Sequence, residues 1–304
     1  MRRYLVEHGW VWSLSAALHL LTAILSFGFH QRDEMAQVLE WVEYKRQAFP
    51  IGDLAWEFEG RIRPWFQPGL YFALFRALDS VGLEGPLLLA MCARIATSAL
   101  GFVTSLSLAA RRRPCEARSK GAPHPRFVLG ARVVRPLRAR ADLLRELAGS
   151  LFALGLALLL RSLGARAVKP MLLVGFTFGL AFQARYQTAL MIAGVLLWLL
   201  LEKKHRALVG LAAGGGAALI VGALFDRWGY GEWTFPPLEY FRVNLIEGKA
   251  ASFGTDPWWF YLADGSPRLH RSERSSRCWW SRPGSAGPSM SCLSPRGPSS
   301  SSTS

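Results

Sequence analysis

Charge is scarce in this chain. Asp, Glu, Lys and Arg make up 19% of its 304 residues, against about a quarter in an average soluble domain. Cysteine is scarcer still: four residues are too few to hold a disulfide scaffold together. There is no P-loop, no nucleophile-elbow sequence and no dinucleotide fingerprint following a strand. The six histidines and the acids show no dedicated metal-ligand spacing, so no metal site is expected. A period of 20 to 50 residues is also missing, which argues against a repeat array. What the chain does have is 51% hydrophobic residues, twelve Trp and eighteen Phe. Disorder as the whole answer is excluded, because such chains are poor in aromatics.

The net charge of +15 is concentrated in two stretches. Residues 111–146 hold ten Arg and one Lys against three acids, and residues 263–304 hold six Arg against two acids. Outside them the charge nearly cancels. A nucleic-acid partner is therefore not expected, since the basic pI is not a property of the main body. Both stretches are rich in Arg and Pro or Ser and lack periodicity, and they carry three of the four Cys. They read either as a natural basic loop and a low-complexity tail or as out-of-frame translation of GC-rich codons. On either reading neither stretch is expected to be ordered. The chain divides accordingly at 1–110, 111–146, 147–262 and 263–304.

A bilayer core of about 30 Å needs about 20 apolar residues in a helix. Residues 9–29, 86–110 and 206–226 meet that requirement, and 147–163 forms a shorter apolar run. The run at 9–29 is too long for the apolar stretch of a cleaved signal peptide and reads as a retained span. Residues 67–84 carry Arg76 and Asp79 and read as interfacial or as a poor span. Residues 171–182 and 188–201 are two apolar halves separated by Gln183-Ala184-Arg185-Tyr186-Gln187. They form either a broken, re-entrant element or one helix with a polar notch. Cytoplasmic loops collect Lys and Arg. With the N-terminus inside, Arg111–Arg113 and Lys203–Arg206 also lie inside, and the loops 30–66 and 227–261 share the opposite face.

Three clusters could carry chemistry. The first opens the first external loop: Asp33 and Glu34, then Gln37 and Glu40 at helical spacing. Residues 33–44 read as a short amphipathic helix at the membrane surface. It is either a solvated helix with acids in its first turn or the seat of a general base that takes a proton from an incoming hydroxyl. The second cluster interleaves Trp56, Glu57, Arg61, Arg63 and Trp65. Such residues either anchor and snorkel at an interface or supply a stacking face, a hydroxyl acceptor and a phosphate fork. The third is Arg185 with Tyr186 in the polar notch. An ionisable residue at such depth is a functional candidate, and an interfacial Arg is the plainer alternative.

Together these residues resemble the lipid-phosphate-mannose-dependent mannosyltransferases of family 22, which include GPI mannosyltransferases and Alg9-like enzymes. Asp33-Glu34, Gln37 and Glu40 look like the family's HPDE…Q…E pattern, although Gln31-Arg32 stands where the family has Pro. Ala55-Trp56-Glu57-Phe58 with Arg61, Arg63-Pro64-Trp65 looks like its TWE…RS element. Asp226, Tyr230-Gly231, Asn244, Gly254, Pro257-Trp258 and Tyr261 resemble its D…YG…N…G…PW..Y stretch, and Gly179-Leu180 with Arg185-Tyr186 its G-L…R pattern. The match ends after Tyr261, so the chain reads as a truncated, partly frameshifted bacterial relative.

The resemblance implies an all-α, multi-pass bundle of GT-C type. Its location would be the bacterial cell membrane, or the endoplasmic reticulum membrane in a eukaryote. It implies a donor of polyprenyl- or dolichyl-phosphate mannose, a glycan or glycolipid acceptor, and inversion at the anomeric carbon without metal or other cofactor. Asp33, with Glu34 beside it, is the expected base. Gln37, Glu40, Trp56, Glu57, Arg61, Arg63, Trp65, Arg185, Tyr186, Tyr230, Asn244 and Trp258 are the expected substrate contacts. The competing expectation is a non-enzymatic multi-pass membrane protein, or an inactive fragment of such an enzyme.

Overall fold

The computed structural model describes residues 9–25, 35–109, 143–163, 168–255 and 259. Asp33, Glu34, Trp258, most of the Arg/Pro-rich stretch and the tail lie outside the described residues. Two compact units divide at Ala251/Ser252, a little before the boundary expected at 262. The first contains every element discussed below.

Among the described residues all regular structure is helical. The helices are α1 (Gly9–Leu25), α2 (Glu40–Lys45), α3 (Trp56–Glu59), α4 (Phe66–Asp79), α5 (Pro86–Ala109), α6 (Leu143–Ser162), α7 (Val168–Ala184), α8 (Thr188–Leu201), α9 (His205–Tyr230) and α10 (Pro236–Phe241). Pro86–Leu108 and His205–Tyr230 are long and apolar enough to cross a bilayer, and α1, α7 and α8 are shorter apolar helices. Residues 147–163 start earlier than expected: Leu143–Glu146 already belong to α6. The helical repeat runs back through them, with Leu147 and Leu151 buried one turn apart and Glu146 accepting a hydrogen bond from the Ser150 hydroxyl at 3.3 Å.

α7 and α9 form the tightest pair. Gly210, Gly214, Ala218 and Gly222 repeat every four residues along α9, and Met171, Gly175, Gly179 and Gln183 do so along α7. Small residues at that spacing let two backbones approach. A Cβ at Gly214 would run into the Leu172 carbonyl and stand 2.7 Å from the Phe176 nitrogen. α6 packs on the other side of α7, α5 on α6, and α1 on α5. The polar notch is realised as a break: α7 stops at Ala184 and α8 begins at Thr188.

α4 is 14 residues long and buries Phe66, Tyr71 and Phe75 on one face. Val38 and Val42 of the first loop share a core with Tyr71, Phe75, Leu89 and Ala93. Asp79 ends α4 in an ion pair with Arg46 at 2.9 Å, so the acid that spoiled a span here ties α4 to the loop. Over its described residues the helix expected at 33–44 is helical, as a π-type turn, Met35–Leu39, that runs directly into α2. Gln37 is buried within this segment and Glu40 is half-buried.

Candidate active site

Aromatic packing fixes the first loop on the end of α9. Trp41 and Trp65 are fully buried with ring centroids 5.0 Å apart, and Phe58 and Tyr230 pack edge-on against Trp41 at 5.4 and 5.8 Å. Gly229 makes room for the Trp65 indole, which a side chain there would strike. The buried Asp226 carboxylate accepts the Trp65 backbone N–H at 2.7 Å. It thereby supplies an acceptor at the N-terminus of α4, where backbone N–H groups lack intrahelical partners. The Tyr230 hydroxyl donates to the Arg63 carbonyl at 2.8 Å. Lys45 completes this junction: its Nζ lies 5.4 Å from the Trp65 ring and 5.3 Å from the Trp228 ring, and donates to the Trp228 carbonyl at 3.1 Å. Burial holds the Lys45 ammonium below its ordinary pKa.

The junction holds Arg63 in place. Its Nη2 and Nε donate to one oxygen of the buried Glu57 carboxylate at 2.8 and 3.2 Å. The same guanidinium lies on the wall of a cleft of about 80 Å³. Three separate segments line this cleft. Gln37 and Val38 come from the wide turn, and Arg63, Pro64, Gln67 and Pro68 from the entry to α4. Ala184, Arg185, Tyr186 and Gln187 come from the break between α7 and α8. The Tyr186 ring is buried, and its hydroxyl has no hydrogen-bond partner among the described residues. Among the described residues that line the cleft none is a carboxylate. Two guanidiniums, three amides and a phenol suit an anionic ligand that also carries hydroxyls.

Of the expected contacts, Gln37, Arg63, Arg185 and Tyr186 line the cleft. Glu57 and Tyr230 stand one step behind, bonded to Arg63. Glu40 is half-buried outside the lining, and burial raises its carboxyl above the ordinary value. Trp56 is exposed with the Lys249 ammonium 5.2 Å from its ring, and Arg61 pairs with Glu232. Trp65 is not a stacking face: it is wholly inside the aromatic junction. Asn244 donates to the Tyr240 carbonyl at 2.9 Å, one turn back on its own segment. Asp33, Glu34 and Trp258 lie outside the described residues.

Gln67, Gln187 and the two prolines were absent from the expected contacts. A signal existed for Gln187, which adjoins Arg185-Tyr186 in the polar notch. Gln67 had only its place after Arg63-Pro64-Trp65. Tyr240 was missed altogether. It touches Arg63, Tyr186 and Gln187 from α10, and nothing separates it from the other aromatics of the last loop in a reading by pattern.

Among the described residues the structure is all-helical, with two apolar helices long enough to cross a membrane and a basic, amide-lined cleft, which defines a class of helical proteins with membrane-length helices. Within that class the chain belongs to the Alg9-like mannosyltransferase family, which it matches over residues 10–271. It is 27% identical over 268 residues to GPI mannosyltransferase 3 of Yarrowia lipolytica, covering 84% of this chain and 50% of that protein. A 55-residue segment is 40% identical to GPI mannosyltransferase 3 of Emericella nidulans, covering 18% of this chain and 8% of that protein. Over 82 residues it is 36% identical to a probable Dol-P-Man:Man(7)GlcNAc(2)-PP-Dol alpha-1,6-mannosyltransferase of Schizosaccharomyces pombe, covering 26% of this chain and 15% of that protein. The chain thus spans at most about half the length of these relatives. No solved structure matches it.

Proposed function

We propose that the protein transfers mannose from a polyprenyl- or dolichyl-phosphate donor to a hydroxyl of a glycan or glycolipid, with inversion at the anomeric carbon, within a multi-pass bundle of GT-C type in the endoplasmic reticulum or bacterial membrane. One observation carries this reading: the first loop, the Arg63 segment and the α7/α8 break converge on one cleft that two arginines, three amides and a phenol line. Family membership supports the reaction class. The printed name of the fission-yeast relative supports the donor, and those of the GPI relatives support a glycolipid acceptor.

In the proposed reaction the bond between the mannose C1 and the phosphate oxygen breaks, and its electron pair stays on the phosphate. The acceptor oxygen bonds to C1 from the opposite face and gives its proton to Asp33, with Glu34 as neighbour. Positive charge builds on the sugar as in related glycosyl chemistry. Negative charge builds on the leaving phosphate, where Arg185 and Arg63 offset it. A monophosphate leaving group flanked by two guanidiniums calls for no divalent cation. The sugar's hydroxyls find partners in Gln37, Gln67, Gln187 and the Tyr186 phenol. The polyprenyl tail runs out along the apolar helices α7 and α8.

The test is transfer of labelled mannose from dolichyl-phosphate mannose by membranes containing this chain. Arg185→Ala is expected to raise the donor KM about tenfold or more, the loss of one charge-assisted hydrogen bond, with membrane insertion unchanged. An unchanged donor dependence counts against the role of Arg185, and absence of transfer by the wild type counts against the function.

A further inference from the structure

α10 reaches the wall of the cleft through Tyr240. The Tyr240 ring lies 5.6 Å from the Arg63 guanidinium carbon and packs edge-on against the Tyr186 ring at 5.4 Å. Its hydroxyl accepts a hydrogen bond from the Gln187 amide at 3.0 Å. Tyr240 therefore touches three residues of the cleft wall, contributed by two different segments, while belonging to a third. Arg63 is consequently held twice. Glu57 grips the Nε and Nη2 edge, and the Tyr240 ring lies against the guanidinium from α10.

The support for Tyr240 is itself built. Pro236 and Pro237 open α10 with backbone angles already suited to a helix. Asn244 donates to the Tyr240 carbonyl at 2.9 Å and locks the following turn. Asn244, expected as a substrate contact, thus acts here through Tyr240. A free arginine samples many rotamers, and a ligand that must order it binds less tightly than one that meets it already ordered. A ring over a guanidinium supplies order without cancelling the charge, as a second carboxylate would.

We propose that Tyr240 is a positioning residue for the donor phosphate: it holds the Arg63 guanidinium and the Gln187 amide in the orientation from which they engage the lipid-linked phosphate. This rests on the cleft being the donor site. Tyr240 makes no bond to the reacting atoms. Its effect falls on donor binding rather than on the chemical step.

The test compares wild type, Tyr240→Leu and Tyr240→Phe in the full chain. Leu keeps apolar bulk, and Phe keeps the ring over Arg63 and against Tyr186 while losing only the Gln187 bond. Two readouts are taken: the rate at which phenylglyoxal modifies Arg63, read by peptide mass spectrometry, and the donor KM and kcat for dolichyl-phosphate mannose. In Tyr240→Leu, Arg63 modification is expected to accelerate about fivefold and the donor KM to rise about tenfold, with kcat within about threefold. Tyr240→Phe is expected to restore both to within about threefold of wild type. Unchanged Arg63 reactivity in Tyr240→Leu, or faster modification with unchanged KM, overturns this inference alone. Failure of the wild type to transfer mannose overturns both it and the function on which it rests. If Tyr240→Leu does not accumulate as folded protein, Asn244→Ala replaces it, with the same two readouts and the same directions.

Discussion

Replacing Asp33 with Asn is expected to lower mannosyl transfer by at least about a hundredfold, the usual contribution of a positioned general base. Asn has the shape of Asp but cannot take up the acceptor's proton. Asp33 precedes Gln37 by four residues, and four residues reach at most about 14 Å. Among the described lining residues none is a carboxylate, and Asp33, with Glu34 beside it, is the proposed base. Initial rates with labelled dolichyl-phosphate mannose, at matched amounts of inserted protein, measure the effect. A rate within threefold of wild type removes Asp33 from the mechanism.

Replacing Gly214 with Leu is expected to abolish the folded state rather than to weaken it. At this point α9 meets the backbone of α7 itself: the Leu172 carbonyl and the Phe176 nitrogen leave no room even for a methyl group. Overpacking against side chains typically costs about 1–3 kcal/mol, and backbone cannot rotate away as a side chain can. The loss should therefore exceed about 3 kcal/mol, the range tied to steric failure in a core. Separating α7 from α9 also displaces the α7/α8 break, and with it Arg185 to Gln187. Size-exclusion profiles in detergent are expected to show aggregated Gly214→Leu. Gly216→Leu is the control, since no atom lies within 4 Å of a Cβ built there, and its profile should match wild type. A well-behaved Gly214→Leu protein with normal transfer would contradict the close α7/α9 contact.

The long helices were legible because their signal is local. Runs such as 86–110 and 206–226 exceed what a bilayer needs, and the polar residues 183–187 mark a break by composition. The small-residue stripe of α9 includes Gly214-Gly215-Gly216, and only Gly214 of the three faces backbone at close range. The wide turn at Met35–Leu39 was not legible, because any reading by helical spacing assumes a constant rotation per residue. Trp65 was misjudged for a different reason. Beside Glu and Arg it has the makings of a sugar platform, and its burial depends on Gly229 and Asp226 far along the chain. Tyr240 stayed hidden because its importance lies in what meets it from two other segments. The start of α6 at Leu143 was obscured by the surrounding Arg and Pro, although its leucines continue the helical period.

The central claim is that this cleft receives the donor's phosphate and sugar. Photocrosslinking addresses it most directly, with a polyprenyl-phosphate mannose analogue carrying a photoactivatable group near the phosphate, followed by peptide mapping. The account predicts labelling on the segments that contain Gln37, Arg63 and Arg185–Gln187, reduced by excess dolichyl-phosphate mannose. Labelling confined to the exposed outer faces of α8 and α9, unaffected by that competitor, would contradict it.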